Sequence, residues 1–260
     1  MGIRVTAVDC GPLTLDRGVL MTGSSGLITV PTAAYIIEHP KHGVILFDTG
    51  VNYRVADEEE AEVYWGPGVR AAFGCGLTRD MAIDRQLDKL GYKLTDVKHV
   101  ILSHMHLDHA GGMTHFPHAK FYVQKVELRY AWWPDPFSTA VYCLNDYKDT
   151  RGYHFIQLEG DADIFDDGSI RLITTPGHSP GHQSAIVRLE HRGPVFLGAD
   201  SAHLQAAYQS LACMPFDWSI ERVTDSYHRM RMLEAAGVEL VFSHDPDDFA
   251  RFPHDGEWAD

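Results

Sequence analysis

Val100-Ile101-Leu102-Ser103-His104-Met105-His106-Leu107-Asp108-His109-Ala110-Gly111-Gly112 carries four metal-capable side chains out of an apolar run and into a glycine-ended turn. In extended chain alternate residues share a face, so the spacing points His104, His106 and Asp108 the same way, and His109 breaks the alternation. Two neighbouring groups result: His104 with His106 for one ion, and Asp108 with His109 for a second. Imidazole and carboxylate suit zinc first, with iron, manganese or cobalt as the other candidates.

Four ligands do not complete two metal sites, so more His or Asp residues are required at strand ends. Ile170 to Thr175 runs through Pro176-Gly177 to His178, Pro194 to Leu197 runs through Gly198-Ala199 to Asp200, and Leu240 to Ser243 runs to His244. Side chains delivered by several strand termini can converge on one sheet edge, where short loops keep them rigid. Asp200, with two oxygens, is placed to bridge. The first site then takes His104, His106, His178 and Asp200, and the second Asp108, His109, His244 and Asp200. A lone histidine after a strand is ordinarily a hydrogen-bonded loop residue. Four clustered ligands with three more at strand ends argue otherwise.

Outward from this stretch the chain alternates short β-branched runs with helical spacing. Strands are predicted at 28–30, 34–38, 44–47, 100–102, 120–124, 170–174, 185–189, 195–197 and 240–242. Helices are predicted at 78–90, 124–132 and 220–236. The acidic run from Ala56 to Glu62 reads as a solvated helix face entering a turn. Interleaved strands and helices, with strands in the majority, predict an α/β protein of layered sheets with helices outside. No repeat, low-complexity tract or linker divides the 260 residues, so one domain over 1–260 is expected.

The charge sum is −14 with histidine neutral. An acidic surface repels nucleic-acid phosphates and anionic lipid headgroups, so neither nucleic acid nor membrane is an expected partner, and a small molecule is. No apolar run approaches the roughly 18 residues of a membrane span. The first ten residues lack the apolar core of a secretory signal, so cytoplasmic residence is the expectation. Four scattered cysteines without a CxxC pair argue against a thiolate zinc site and a disulfide framework. Self-association as a homodimer is compatible with all of this.

HxHxDH followed by Gly-Gly, together with Thr175-Pro176-Gly177-His178-Ser179-Pro180-Gly181-His182, resembles the metallo-β-lactamase superfamily. The resemblance runs from Val44-Ile45-Leu46-Phe47-Asp48-Thr49-Gly50 to Ser243-His244-Asp245, and is strongest to the quorum-quenching N-acyl homoserine lactone lactonases. It implies an αββα sandwich of two mixed sheets with helices on the outer faces, two zinc ions, and hydrolysis of a lactone ring. Two dications about 3.5–4 Å apart lower the pKa of a bridging water toward neutrality, and the resulting hydroxide is the expected nucleophile on the ester carbonyl. Asp108 is the candidate proton shuttle to the leaving alkoxide. Those lactonases usually carry a tyrosine three residues after the bridging aspartate. His203 stands there, as a candidate hydrogen-bond donor to the carbonyl or the leaving oxygen.

Asp48, at the end of the 44–47 strand, is expected to orient a ligand histidine, and His182 reads as structural. Met21 and Leu107 are the candidate substrate-binding residues, with Trp65 and Trp132-Trp133-Pro134 as further candidates for an apolar wall. Competing readings keep the metal chemistry and change the substrate, to a pyridoxolactone, a γ-butyrolactone or a thioester. The acidic surface speaks against RNA processing, and the lack of a glutathione-binding basic patch against glyoxalase II. His106, where flavodiiron proteins usually place a glutamate, speaks against that class. A non-catalytic metal-stabilised binding protein would have no use for a bridging aspartate.

Overall fold

The computed structural model describes residues 2–260. Its strands are β1 (Arg4–Asp9), β2 (Leu13–Asp16), β3 (Leu27–Val30), β4 (Ala33–His39), β5 (Gly43–Phe47), β6 (Val97–Ile101) and β7 (Lys120–Gln124). They continue with β8 (His154–Leu158), β9 (Ala162–Asp163), β10 (Ile170–Thr174), β11 (Gln183–Leu189), β12 (Gly193–Leu197) and β13 (Glu239–Val241). One sheet has the order β1-β4-β5-β6-β7-β8, the other β13-β12-β11-β10-β9, and β2-β3 is a separate hairpin. Both large sheets are mixed: β5 through β8 pair in parallel, as do β12 and β13, while β10, β11 and β12 alternate in direction.

Side-chain alternation sorts each strand between two cores. Ile45 and Phe47 of β5 face Leu172, Val187 and Val195 in the layer between the sheets. Val44 and Leu46 face outward, where Ile83, Leu87 and Ala131 of two helices cover them. On the outer face of the second sheet, Val223, Tyr227 and Met230 of the helix Ile220–Ala235 pack on Phe196, Leu240 and Phe242. The result is the αββα layering that the resemblance implies.

Every strand predicted from the sequence falls on an observed one to within a few residues. The predicted 78–90 helix is interrupted: a 3₁₀ turn at Arg79–Met81 and a helix at Ile83–Lys89 meet at Ala82, whose ψ of 146° is extended. The acidic run forms the helix Glu58–Tyr64, capped by Asp57, whose carboxylate accepts from the Glu60 N–H at 2.9 Å. All four cysteines are free.

Candidate metal centre

Five strands end at one rim: β5 at Phe47, β6 at Ile101, β10 at Thr174, β12 at Leu197 and β13 at Val241. The chain beyond each end carries Asp48, His104 to His109, His178, Asp200 and His244. The 104–109 segment differs from the extended chain expected of it. Leu102 still bonds to β7, but the N–H groups of His109 and Ala110 both donate to the His106 carbonyl, at 3.0 and 2.9 Å, so the motif is a helical turn. That turn brings Asp108 and His109 beside His104. It also presses so closely on the loop after β5 that a Cβ on Gly111 would lie 2.7 Å from the Gly50 carbonyl oxygen, which excludes any larger residue.

The predicted ligands gather into three overlapping groups, each with its donor atoms within 4.8 Å of one another: His104, His106 and His178; Asp108, His109 and His244; and His104, His109 and Asp200. Asp200 lies between the first two groups. Its Oδ1 is 3.2 Å from His109 Nε2 and 3.3 Å from His244 Nε2, and its Oδ2 is 3.3 Å from His178 Nε2. Zinc–nitrogen bonds of about 2.0–2.1 Å put tetrahedral neighbours roughly 3.3 Å apart, so these are separations of atoms around a shared ion.

Four of the rings have their second nitrogen anchored. His104 Nδ1 lies 2.9 Å from Ser103 Oγ, whose own hydroxyl donates to Asp48 at 2.7 Å. His109 Nδ1 donates to Asp48 Oδ2 at 2.9 Å, His178 Nδ1 to Asp217 Oδ1 at 3.1 Å, and His244 Nδ1 to the Pro31 carbonyl at 2.7 Å. With the remaining proton at Nδ1, each ring in its neutral form turns an Nε2 lone pair to the centre. Among the described residues His104 Nε2, His109 Nε2 and Asp200 Oδ1 are buried without any hydrogen-bond partner, and His106 Nδ1 stands only 2.9 Å from His178 Nε2. Orphaned lone pairs converging on carboxylates fit divalent cations.

Electrostatics points the same way. Burial, reinforced by neighbouring imidazoles, holds His104 and His106 well below the usual histidine range, so both stay neutral. His109 is buried too, but Asp200, Asp108 and Asp48 outweigh that and raise it well above. Burial is likewise overcome at Asp200, where His109, His244 and His203 hold the carboxyl well below its ordinary value. The site favours positive charge around a fixed anion.

His182 lies outside the shell: its Nε2 accepts the Asp200 N–H at 3.1 Å and its Nδ1 meets Thr175 Oγ1 at 2.9 Å, pinning the Asp200 turn. Sequence reasoning missed Asp217 and Glu127. Fully buried Glu127, on the helix Lys125–Trp132, accepts from the Met105 N–H at 3.0 Å, Tyr142 OH at 2.9 Å, Ser179 Oγ at 2.8 Å and the Gly181 N–H at 2.9 Å. It thereby joins the loop of His106 to the loop of His178.

Beside His106 and His178 opens a cavity of about 340 Å³, walled by Phe73, Phe137, Val141, Tyr142, Phe216 and Trp218. Met21 and Leu107 do not line it. Leu107 is buried with its N–H bonded to the Val141 carbonyl at 2.9 Å, and Met21 packs with Leu13 and Leu20 under the β2-β3 hairpin. Trp65 packs against Phe73 from behind, and Trp132 against Tyr147. The wall comes from irregular loops around 137–142 and 214–218, where no periodicity marks which face is which.

A further group, His39, His42 and Asp167, lies beyond the opposite strand ends. Its His39 has both nitrogens engaged, Nδ1 by the Lys41 N–H and Nε2 by Ser169 Oγ, each at 3.1 Å. His42 is stacked on Phe165 with ring centres 3.7 Å apart. The His39 nitrogens are therefore already taken.

Comparison with known proteins supplies the family. Residues 27–198 match the family model of the metallo-beta-lactamase superfamily, and the chain belongs to that superfamily. It is 34% identical to the N-acyl homoserine lactonase AttM of Azorhizobium caulinodans, over 96% of each chain, and 29% identical to an N-acyl homoserine lactonase of Bacillus cereus, over 92% of this chain and 91% of that one. Among solved structures, an N-acyl homoserine lactone hydrolase with N-hexanoyl-L-homoserine bound at its catalytic metal centre superimposes with a TM-score of 0.85 at 25% identity, covering 99% of this chain and all of that one.

Proposed function

We infer that this chain is a metal-dependent carboxylic-ester hydrolase that opens the lactone ring of N-acyl homoserine lactones. The observation that carries this reading is Asp200, whose two oxygens face different histidines at the separation of co-ligands, in a cluster whose His106 and His178 line an apolar cavity. His104, His106, His178 and Asp200 would hold one divalent ion and Asp108, His109, His244 and Asp200 the other. Zinc is the metal proposed, since the donors are imidazole and carboxylate alone.

When bound, such a pair of cations supplies Lewis acidity toward a carbonyl and lowers the pKa of water toward neutrality. The side chains do the rest. Asp108 is 14% exposed against 3% for Asp200, so it is the carboxylate that substrate and solvent reach. It can take the proton released when water attacks the carbonyl and return it to the ring oxygen as the ester bond breaks. Asp48 holds His109 and, through Ser103, His104 in the required orientation. His203 sits at the rim with its Nε2 beside Asp200, within reach of the reacting ester. The cavity wall, Phe73, Phe137, Val141 and Phe216 among its members, suits an acyl chain and offers little to a small polar lactone.

The same proposal includes one catalytic unit over 1–260: ligands extend from 104 to 244, and Ala259 near the C-terminus bonds to Val5 of β1. Four free cysteines support residence in a reducing cytoplasm. A homodimer would cover Leu27 and Val63, which are 83% and 76% exposed, and sedimentation as a monomer would remove that element. The decisive experiment assays proton release from N-hexanoyl- and N-decanoyl-homoserine lactone and from γ-butyrolactone, beside a metal count. Expected are two ions per chain, faster opening of the acyl lactones, loss of activity on chelation, and a fall of about 10²-fold or more in Asp108→Asn with the fold intact. Near-normal turnover in that variant, or a chain indifferent to chelator, would defeat the reading.

A further inference from the structure

We propose that His203 is itself a metal ligand, its Nε2 directed at the ion that His104, His106 and His178 would hold. This rests on the metal reading above and extends it to a residue outside the seven-ligand set.

The argument is one of equivalence around Asp200. Oδ1 is flanked by two imidazole Nε2 atoms, His109 at 3.2 Å and His244 at 3.3 Å. Oδ2 is flanked in the same way, by His178 at 3.3 Å and His203 at 3.2 Å. If three of these contacts are edges of a metal polyhedron, the fourth has the same length and type. A charge-assisted hydrogen bond from an imidazolium to a carboxylate would be drawn in to about 2.7–2.9 Å. His178, Asp200 and His203 also form a group of their own, with donor atoms within 4.8 Å of one another.

The fold holds the ring in place for this. Ala199 takes a φ of +45°, strained for a residue with a Cβ, in the 3₁₀ turn after β12. That turn carries Asp200 and, three residues on, His203 to the same side of the chain. The His203 ring is buried, stacked at 9° on His244 with centres 5.7 Å apart and edge-on to His178 at 4.7 Å. It shares one feature with His106 and with none of the other ligand rings: His104, His109, His178 and His244 have Nδ1 anchored, whereas among the described residues nothing bonds His203 Nδ1 or His106 Nε2. An imidazole without that anchor is the weaker base and the looser ligand. The backbone on both sides of His106 is tied down, Met105 N–H to Glu127 at 3.0 Å and Leu107 N–H to the Val141 carbonyl at 2.9 Å, so of the two unanchored rings His203 is the donor that would give up its position when a carbonyl oxygen arrives.

The test is a cobalt(II) titration of the metal-free full-length chain, followed by visible absorption, with zinc affinities from chelator competition. The wild type should take up two ions. His203→Ala should still take up two, with a changed visible band, one zinc site weakened about tenfold or more, and recovery of the wild-type band on adding free imidazole. His203→Gln serves as the second variant if the alanine form misfolds by circular dichroism. An unchanged band and unchanged zinc affinities in a folded variant would overturn the assignment even if turnover fell, because that pattern belongs to a hydrogen-bond donor. A wild-type chain that binds no cobalt would overturn the metal reading itself, and this inference with it.

Discussion

Tyr64 donates its hydroxyl proton to Asp146 Oδ1 at 2.9 Å, while Oδ2 of the same buried carboxylate has no hydrogen-bond partner among the described residues. Asn52 extends the chain, donating to Tyr64 at 2.9 Å and to the Gly111 carbonyl at 2.7 Å, so this network ends on the turn that carries the ligands. Burial pushes the Asp146 carboxyl up to about 7 from 3.8, and the folded protein keeps a proton there that the unfolded chain releases near pH 4. Because the folded state binds more protons between those values, this residue's contribution to stability is full below pH 4 and declines as pH rises toward 7. Asp146→Asn keeps the acceptor for Tyr64 and removes the titration. Denaturant melts at pH 4.5 and 7.5 should show the variant gaining on the parent with rising pH, by on the order of 3 kcal/mol at one pKa unit per about 1.36 kcal/mol. A difference that does not change with pH would assign the proton elsewhere.

Glu127 shows what an element can hide. In the helix Lys125–Trp132 it looks like any charged residue on an amphipathic face, yet its carboxylate is buried and accepts four hydrogen bonds from residues 105, 142, 179 and 181. Nothing local marks it, since the groups that bury it arrive from three distant loops. Asp217 was missed for the same reason, lying in an irregular segment 39 residues from the histidine it orients. The clustered histidines and Asp200 were legible because each follows a strand whose apolar run is visible. Strand β1 went unread since both its faces are buried, leaving no polar alternation from Val5 to Val8, and β8 because it is a half-exposed edge. Even within the readable motif, the residues that strand alternation grouped lie together through a helical turn and not through extended chain. For Glu127→Gln, an amide nitrogen must face either Ser179 Oγ and the Gly181 N–H or Tyr142 and the Met105 N–H, and two donors lose their acceptor. The expected result is a loss of about 1–3 kcal/mol in stability, with turnover reduced more than tenfold by displacement of the His106 and His178 loops. Unfolding curves and steady-state kinetics that match the parent would remove Glu127 from the positioning of the site.

Across the whole molecule the rim gathers side chains from both sheets, so whatever occupies it ties the two halves of the sandwich together. β5 and β6 of one sheet supply Asp48 and the 104–109 turn, and β10, β12 and β13 of the other supply His178, Asp200 and His244. Beneath the rim an apolar inter-sheet core runs from Ile45 and Phe47 to Val195 and Val241 and does not depend on the rim residues. At the rim itself, a metal-free chain leaves buried lone pairs on His104 and His109 and an unpartnered oxygen on Asp200. An ion that binds only the folded state adds RT ln(1 + [L]/Kd), about 4 kcal/mol at a thousandfold excess over Kd. Two such ions and roughly 2 °C per kcal/mol for a chain of this length put the shift near 15 °C. Calorimetry should therefore show a cooperative transition that falls by on the order of that amount on exhaustive chelation and returns when two equivalents of zinc are added, with no further rise from a third because both His39 nitrogens are already bonded. A transition temperature unmoved by chelator would mean that hydrogen bonds alone hold the rim together, and one that kept climbing past two equivalents would make the His39 cluster a site in its own right.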